Sequence, residues 1–97
     1  MKFYTFHQSN PGGYFIRDEK LDEYVIIQAK NADEANSKAE DIGIYFNGVY
    51  KKIDCACCND RWYPVSESSG ENSPNIYGDS LQGYSIYKFY GDAEWLI

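Results

Sequence analysis

Histidine and methionine occur once each in this sequence, and proline and cysteine three times each. Nitrogen and sulfur ligands for a metal are therefore limited to His7, Cys55, Cys57 and Cys58. No apolar run approaches the roughly 18 to 20 residues that a bilayer-spanning helix needs. The opening MKFYTFHQ has polar residues where a signal peptide would be apolar, so the expected location is the cytosol. Three cysteines crowded into four positions do not make the disulfide framework of a secreted mini-protein. Basic residues are also scarce. Nine Lys and Arg stand against fifteen Asp and Glu, for a net charge of −6. That balance argues against non-specific nucleic-acid binding, which depends on cations displacing counterions from phosphate. The glycines form neither a G-x-x-x-x-G-K-[ST] nor a G-x-G-x-x-G phosphate loop, and the acidic residues form no D-x-D-x-D-G calcium loop.

What is abundant is tyrosine. Ten Tyr, five Phe and two Trp occur in 97 residues, a length suited to a single domain with a thin core. A tyrosine ring can pack while its hydroxyl reaches water or a partner. The segment Lys2 to His7 is β-prone, Asn10-Pro11-Gly12-Gly13 favours a turn, and Tyr14-Phe15-Ile16 reads as the returning strand. Tyr24 to Ala29 is a β-branched, nearly continuous apolar run, as in a central strand. A helix is expected over Ala32 to Ile42, with Asn31 as cap, Glu34 three residues on, an Ala32-Ala35-Ala39-Ile42 stripe and Gly43 as the stop. Asn47-Gly48 between Ile44-Tyr45-Phe46 and Val49-Tyr50-Lys51 predicts a type I′ hairpin, Arg61 to Val65 a further strand, and Gly91-Asp92 a hairpin into Ala93-Glu94-Trp95-Leu96-Ile97. Residues 66–75 contain no large apolar side chain and read as a mobile, dispensable loop. Together these predict one α+β domain over residues 1–97: a mostly antiparallel sheet of five or six strands with one helix on one face.

The conspicuous constellation is Asp54-Cys55-Ala56-Cys57-Cys58-Asn59-Asp60. Cys55 and Cys58 have C-x-x-C spacing, which in a zinc knuckle aims two thiolates at one tetrahedral ion. A closed zinc site needs two more ligands, and the sequence offers Cys57, between the pair, and His7. Zinc bridging two chains is one alternative, and reduced thiols beside a tight turn are another. A Cys–His dyad has no supporting motif around the cysteines. The following Arg61-Trp62-Tyr63 can grip a planar or anionic ligand, or can be a buried Trp flanked by a paired Arg.

MKFYTFHQ with Asn10 and Gly12-Gly13, then ADEANSKAEDIGIYF, DCACCNDRWYPV and Ile76-Tyr77-Gly78, resemble a family of small, largely uncharacterised proteins encoded by bacteriophages. In that pattern the residue after the cysteine cluster is often Gly, and Asn59 stands there in this chain. The resemblance implies a non-enzymatic accessory protein in the cytoplasm of an infected bacterium, antagonising host defence by binding. Two versions are open. One is blockade of a defence protein by an acidic, Tyr-rich face, and the other is sequestration of a nucleotide signal, by an oligomer, between aromatic rings and basic groups. Candidate contacts are Arg17, Arg61, Tyr63, Tyr84, Tyr87 and Lys88. The rival classes are a small metal- or Cys-dependent nucleotide-processing enzyme and a structural zinc module.

Overall fold

Two alternating apolar runs build the centre of the molecule in a computed structural model that describes residues 1–9 and 14–92. The first is β1 (Lys2–His7) and the second β2 (Tyr24–Ala29). They pair antiparallel, with Lys2 opposite Ala29 and His7 opposite Tyr24. β5 (Tyr87–Tyr90) joins the other edge of β2 in parallel, Tyr24 facing Tyr87 and Ile27 facing Tyr90. Because side chains alternate along a strand, this three-stranded sheet has two apolar faces. Tyr4, Phe6, Val25, Ile27 and Ala29 point into one cluster with Trp62, Ile44 and the helix alanines. Phe3 and Ile26 point into a second with Ile76, packed by Tyr24, Tyr84, Tyr87 and Phe89.

Helix α1 (Ala32–Asp41) covers the first face and buries Ala32, Ala35 and Ala39. Asn31 Oδ1 accepts from the Glu34 N–H at 2.8 Å, and Glu34 Oε1 accepts from the Lys30 N–H at 3.0 Å. This is a capping box displaced by one residue from the usual reciprocal pair. Gly43, at φ 108°, ends the helix in a conformation that a side chain would strain. The second face is covered by a short hairpin, β3 (Asn75–Ile76) and β4 (Asp79–Ser80). Its turn is Tyr77-Gly78 at φ 52° and 85°, with Asn75 Oδ1 accepting from the Gly78 N–H at 3.0 Å. Positive φ at both positions is type I′ chemistry, carried here by an unusual Tyr.

The expected single sheet of five or six strands is corrected: the described strands number five and divide into sheets of three and two, and β5 joins the larger sheet in parallel. Side-chain amides take the backbone bonds that extra strands would have taken. Gln8, buried, accepts the Ile16 N–H and donates to the Ile16 carbonyl, both at 2.9 Å, so Tyr14-Phe15-Ile16 forms no strand. Asn36 does the same for Val65, accepting from its N–H at 2.8 Å and donating to its carbonyl at 3.1 Å. Arg61 to Val65 therefore runs across the core without a strand neighbour. The Asn47-Gly48 hairpin is also absent. Asn47 has φ 58°, but Gly48 serves close approach, since a Cβ there would collide with the Asp54 carboxylate and the Tyr45 ring. The turn Asn10-Pro11-Gly12-Gly13 and the segment after Gly91-Asp92 lie outside the described residues.

Residues 66–75 run alongside β1. They include a 3-10 turn (Glu67–Ser69) and a bridge in which Phe3 and Glu71 exchange backbone bonds at 2.8 and 2.9 Å. Glu67 Oε1 accepts from the Ala32 N–H at 2.7 Å, capping α1 from across the sequence. Deleting 66–74, which leaves β3 whole, is accordingly expected to cost about 2 kcal/mol, from one lost cap and two backbone bonds. In a chain of this size that lowers the melting midpoint by about 10 °C. A midpoint unchanged in differential scanning calorimetry would show these anchors to be inert.

Burial pushes up the phenol pKa values of Tyr4, Tyr45, Tyr84 and Tyr90. That of Tyr24 is pushed up to about 12, by burial first and then by Tyr77 and Glu23. The unfolded chain loses these protons from about pH 10. Their stabilising contribution is thus complete below about pH 10 and is lost as pH rises toward the folded values. Phenolate absorbance is expected to rise together with loss of the far-ultraviolet circular dichroism. Ionisation of all ten tyrosines near pH 10 with the fold intact would contradict this.

Candidate functional site

From Tyr45 to Arg61 the chain forms a loop braced by two carboxylates. Asp54 Oδ1 accepts from the Tyr45 hydroxyl at 2.7 Å, and Oδ2 accepts from the Arg61 N–H at 2.8 Å. Asp60 Oδ1 accepts from the Val49 N–H at 2.8 Å. Inside the loop the N–H groups of Ile53 and Asp54 both donate to the Gly48 carbonyl, at 2.8 and 3.0 Å. Lys52 and Asn59 adopt φ 64° and 73°, turning the chain at either side of the cysteines. Asn59 tolerates that left-handed conformation better than most residues.

The loop presents Cys55, Cys57 and Cys58, all free and exposed. Their sulfur atoms lie within 4.8 Å of one another, and Cys57 Sγ is 3.4 Å from Cys58 Sγ. The Cys58 N–H donates to the Cys55 carbonyl at 3.1 Å, closing a tight turn. The Cys57 thiol and N–H, followed by those of Cys58, direct protons at Cys55 and hold its pKa below the usual thiol value. The Cys57 pKa is pushed up to about 11 because its proton is shared with the two neighbouring sulfurs. Such a group of sulfur donors can chelate a soft cation. His7 is not in this group. It sits on β1, stacked on Tyr24 at 5.9 Å between centroids and edge-on to Tyr77 at 5.8 Å.

The residues flanking the loop separate into core and surface. Trp62 is completely buried in the larger cluster. Arg61 is buried too, and its Nη1 donates to Gln8 Oε1 at 2.7 Å and to the Tyr14 carbonyl at 3.1 Å. Its guanidinium also lies 5.2 Å from the centroid of the Tyr14 ring. Tyr63 alternates outward and is exposed. The remaining candidates lie elsewhere. Arg17 is exposed between Asp22 at 3.3 Å and Glu23 at 3.6 Å. Tyr84 donates to Asp79 at 3.2 Å, Tyr87 packs in the smaller cluster, and Lys88 is half-buried on β5.

Two exposed side chains of the loop escaped the sequence reading. Tyr50 is 88 % exposed and Ile53 57 %. The expected Asn47-Gly48 hairpin places Tyr50 on a strand, and Ile53 lies among polar neighbours in the sequence. The hairpin assignment gave no reason to expect a bare Tyr at that position.

Among the described residues no helix is long and apolar enough to cross a membrane. No curated protein and no solved structure matches the chain. A family model does match residues 1–96, nearly the whole sequence, and the chain belongs to that family, described as "Domain of unknown function (DUF7296)".

Proposed function

We propose that this is a non-enzymatic bacteriophage accessory protein that binds and blocks a host defence protein in the cytoplasm of the infected cell, with the cysteine loop as its contact element. The observation that carries the reading is a braced loop bearing exposed Tyr50 and Ile53, with exposed Tyr63 just beyond it. A loop already fixed by Asp54 and Asp60 loses little conformational entropy on docking, and Tyr is among the commonest interface anchors.

Blockade is favoured over nucleotide sequestration by the state of the cations. Arg61 is committed to Gln8 and Tyr14 inside the fold, and Arg17 faces two carboxylates. An anionic ligand would then meet long-range repulsion from a chain of net charge −6, which exposed Lys51 and Lys52 on the loop offset only locally. A basic protein surface would be drawn to it.

Affinity capture from host lysate tests this with the wild type and the Tyr50→Ala and Tyr63→Ala variants side by side. Each substitution is expected to weaken a captured host protein by about 1 to 3 kcal/mol without unfolding the domain. A nucleotide released by acid, with no protein retained, would favour sequestration. Chemical turnover of that nucleotide would make the protein an enzyme.

A further inference from the structure

We propose that Cys55, Cys57 and Cys58 together bind one zinc-class ion, a thiophilic d10 cation, through three thiolates, leaving a fourth position toward solvent. A tetrahedral zinc with Zn–S bonds of about 2.3 Å sets its sulfurs about 3.8 Å apart. Cys57 Sγ and Cys58 Sγ are 3.4 Å apart, and no two of the three sulfurs are more than 4.8 Å apart. Shifts of about 1 Å in exposed side chains bring them to the required spacing.

The donor set is sulfur only. The nearby carboxylates are engaged in bracing the loop, Asp54 through both oxygens and Asp60 through Oδ1 to Val49, and His7 is held in the aromatic stack on β1. Three thiolates select a soft or borderline ion over magnesium or calcium, which prefer oxygen. Each thiol releases its proton to solvent as its S–Zn bond forms, and no electron is transferred. The loop is closed by hydrogen bonds independent of the ion, so the fold does not need metal as a zinc finger does. The exposed fourth position takes water or one donor atom from another molecule.

This inference concerns the same loop as the contact reading but does not depend on it. The test uses the reduced 97-residue chain, titrated with Zn2+ and with Co2+ as a spectroscopic probe. One ion per chain is expected in native mass spectrometry, with thiolate-to-cobalt charge-transfer absorption. Cys55→Ser, Cys57→Ser and Cys58→Ser are each expected to weaken binding at least about tenfold while circular dichroism stays unchanged. Failure of the wild type to retain either ion overturns the assignment, whatever the variants do. So does undiminished affinity in Cys57→Ser, which would leave a two-thiol site. Host-protein capture by Tyr50→Ala is read separately, so failure of the metal site and failure of the contact reading are told apart.

Discussion

Replacing Trp62 with Ala is expected to be the most damaging single change in the domain, costing about 3 to 5 kcal/mol. The side chain is completely buried in the cluster that contains Tyr4, Phe6, Leu21, Val25, Ile27, Ile44 and Phe46. Trp62 lies on a segment without strand neighbours, so its ring is a principal tie between that segment and the sheet. A cavity of indole size cannot be filled by collapse of a flanking helix whose contact residues are alanines. Domains of this size hold only about 5 to 15 kcal/mol in total, so the variant is expected to be largely unfolded at 37 °C. Urea titration followed by circular dichroism would report it. A midpoint within experimental error of the wild type would remove Trp62 from its place as core anchor.

Arg61→Ala is expected to cost about 3 kcal/mol of stability, against the idea that Arg61 serves a ligand and tolerates truncation. Its guanidinium crosses from the cysteine loop to β1's far end, donating to Gln8 and to the Tyr14 carbonyl. Hydrogen bonds from a charged donor contribute about 1.5 to 3 kcal/mol each, and the Tyr14 ring adds a smaller cation–π attraction. Gln8 Oε1 also accepts from Ile16, so losing Arg61 loosens the segment from Tyr14 to Ile16 as well. Arg61→Lys should recover only part of the loss, because its ammonium ends one atom short of Nη1 and has no guanidinium plane to set against the Tyr14 ring. The informative readout is urea stability of both variants measured beside partner capture. A destabilised variant whose folded fraction still captures partner marks a structural residue, whereas wild-type stability with capture abolished would return Arg61 to the binding surface.

The local elements legible in the sequence are those whose signals are short-range. Asn31, Glu34 and the Ala32-Ala35-Ala39 stripe define α1 because capping and helical periodicity act within one or two turns. The alternation in Lys2 to His7 and the β-branched run in Tyr24 to Ala29 likewise appear as the central pair of strands. Burial of Trp62 with outward Tyr63 follows from strand-like alternation, even though no strand forms there. The cysteine cluster was visible as a pattern. That Cys57 turns its sulfur toward Cys55 and Cys58 was not, since C-x-x-C spacing leaves the middle residues' direction open.

Size class, acidic charge, α1, strands β1 and β2 and three thiols in one turn all follow from local sequence. Tertiary structure decided the rest, because the deciding groups act across long stretches of chain. Gln8 and Asn36 use side-chain amides to satisfy backbone at Ile16 and Val65 that would otherwise have sought a strand partner, so two expected strands do not form. Asp54 takes the space over Gly48 and turns an expected hairpin into a braced loop. A buried amide or carboxylate can bond any backbone group brought within about 3 Å, so its partner is set by packing rather than by spacing along the chain.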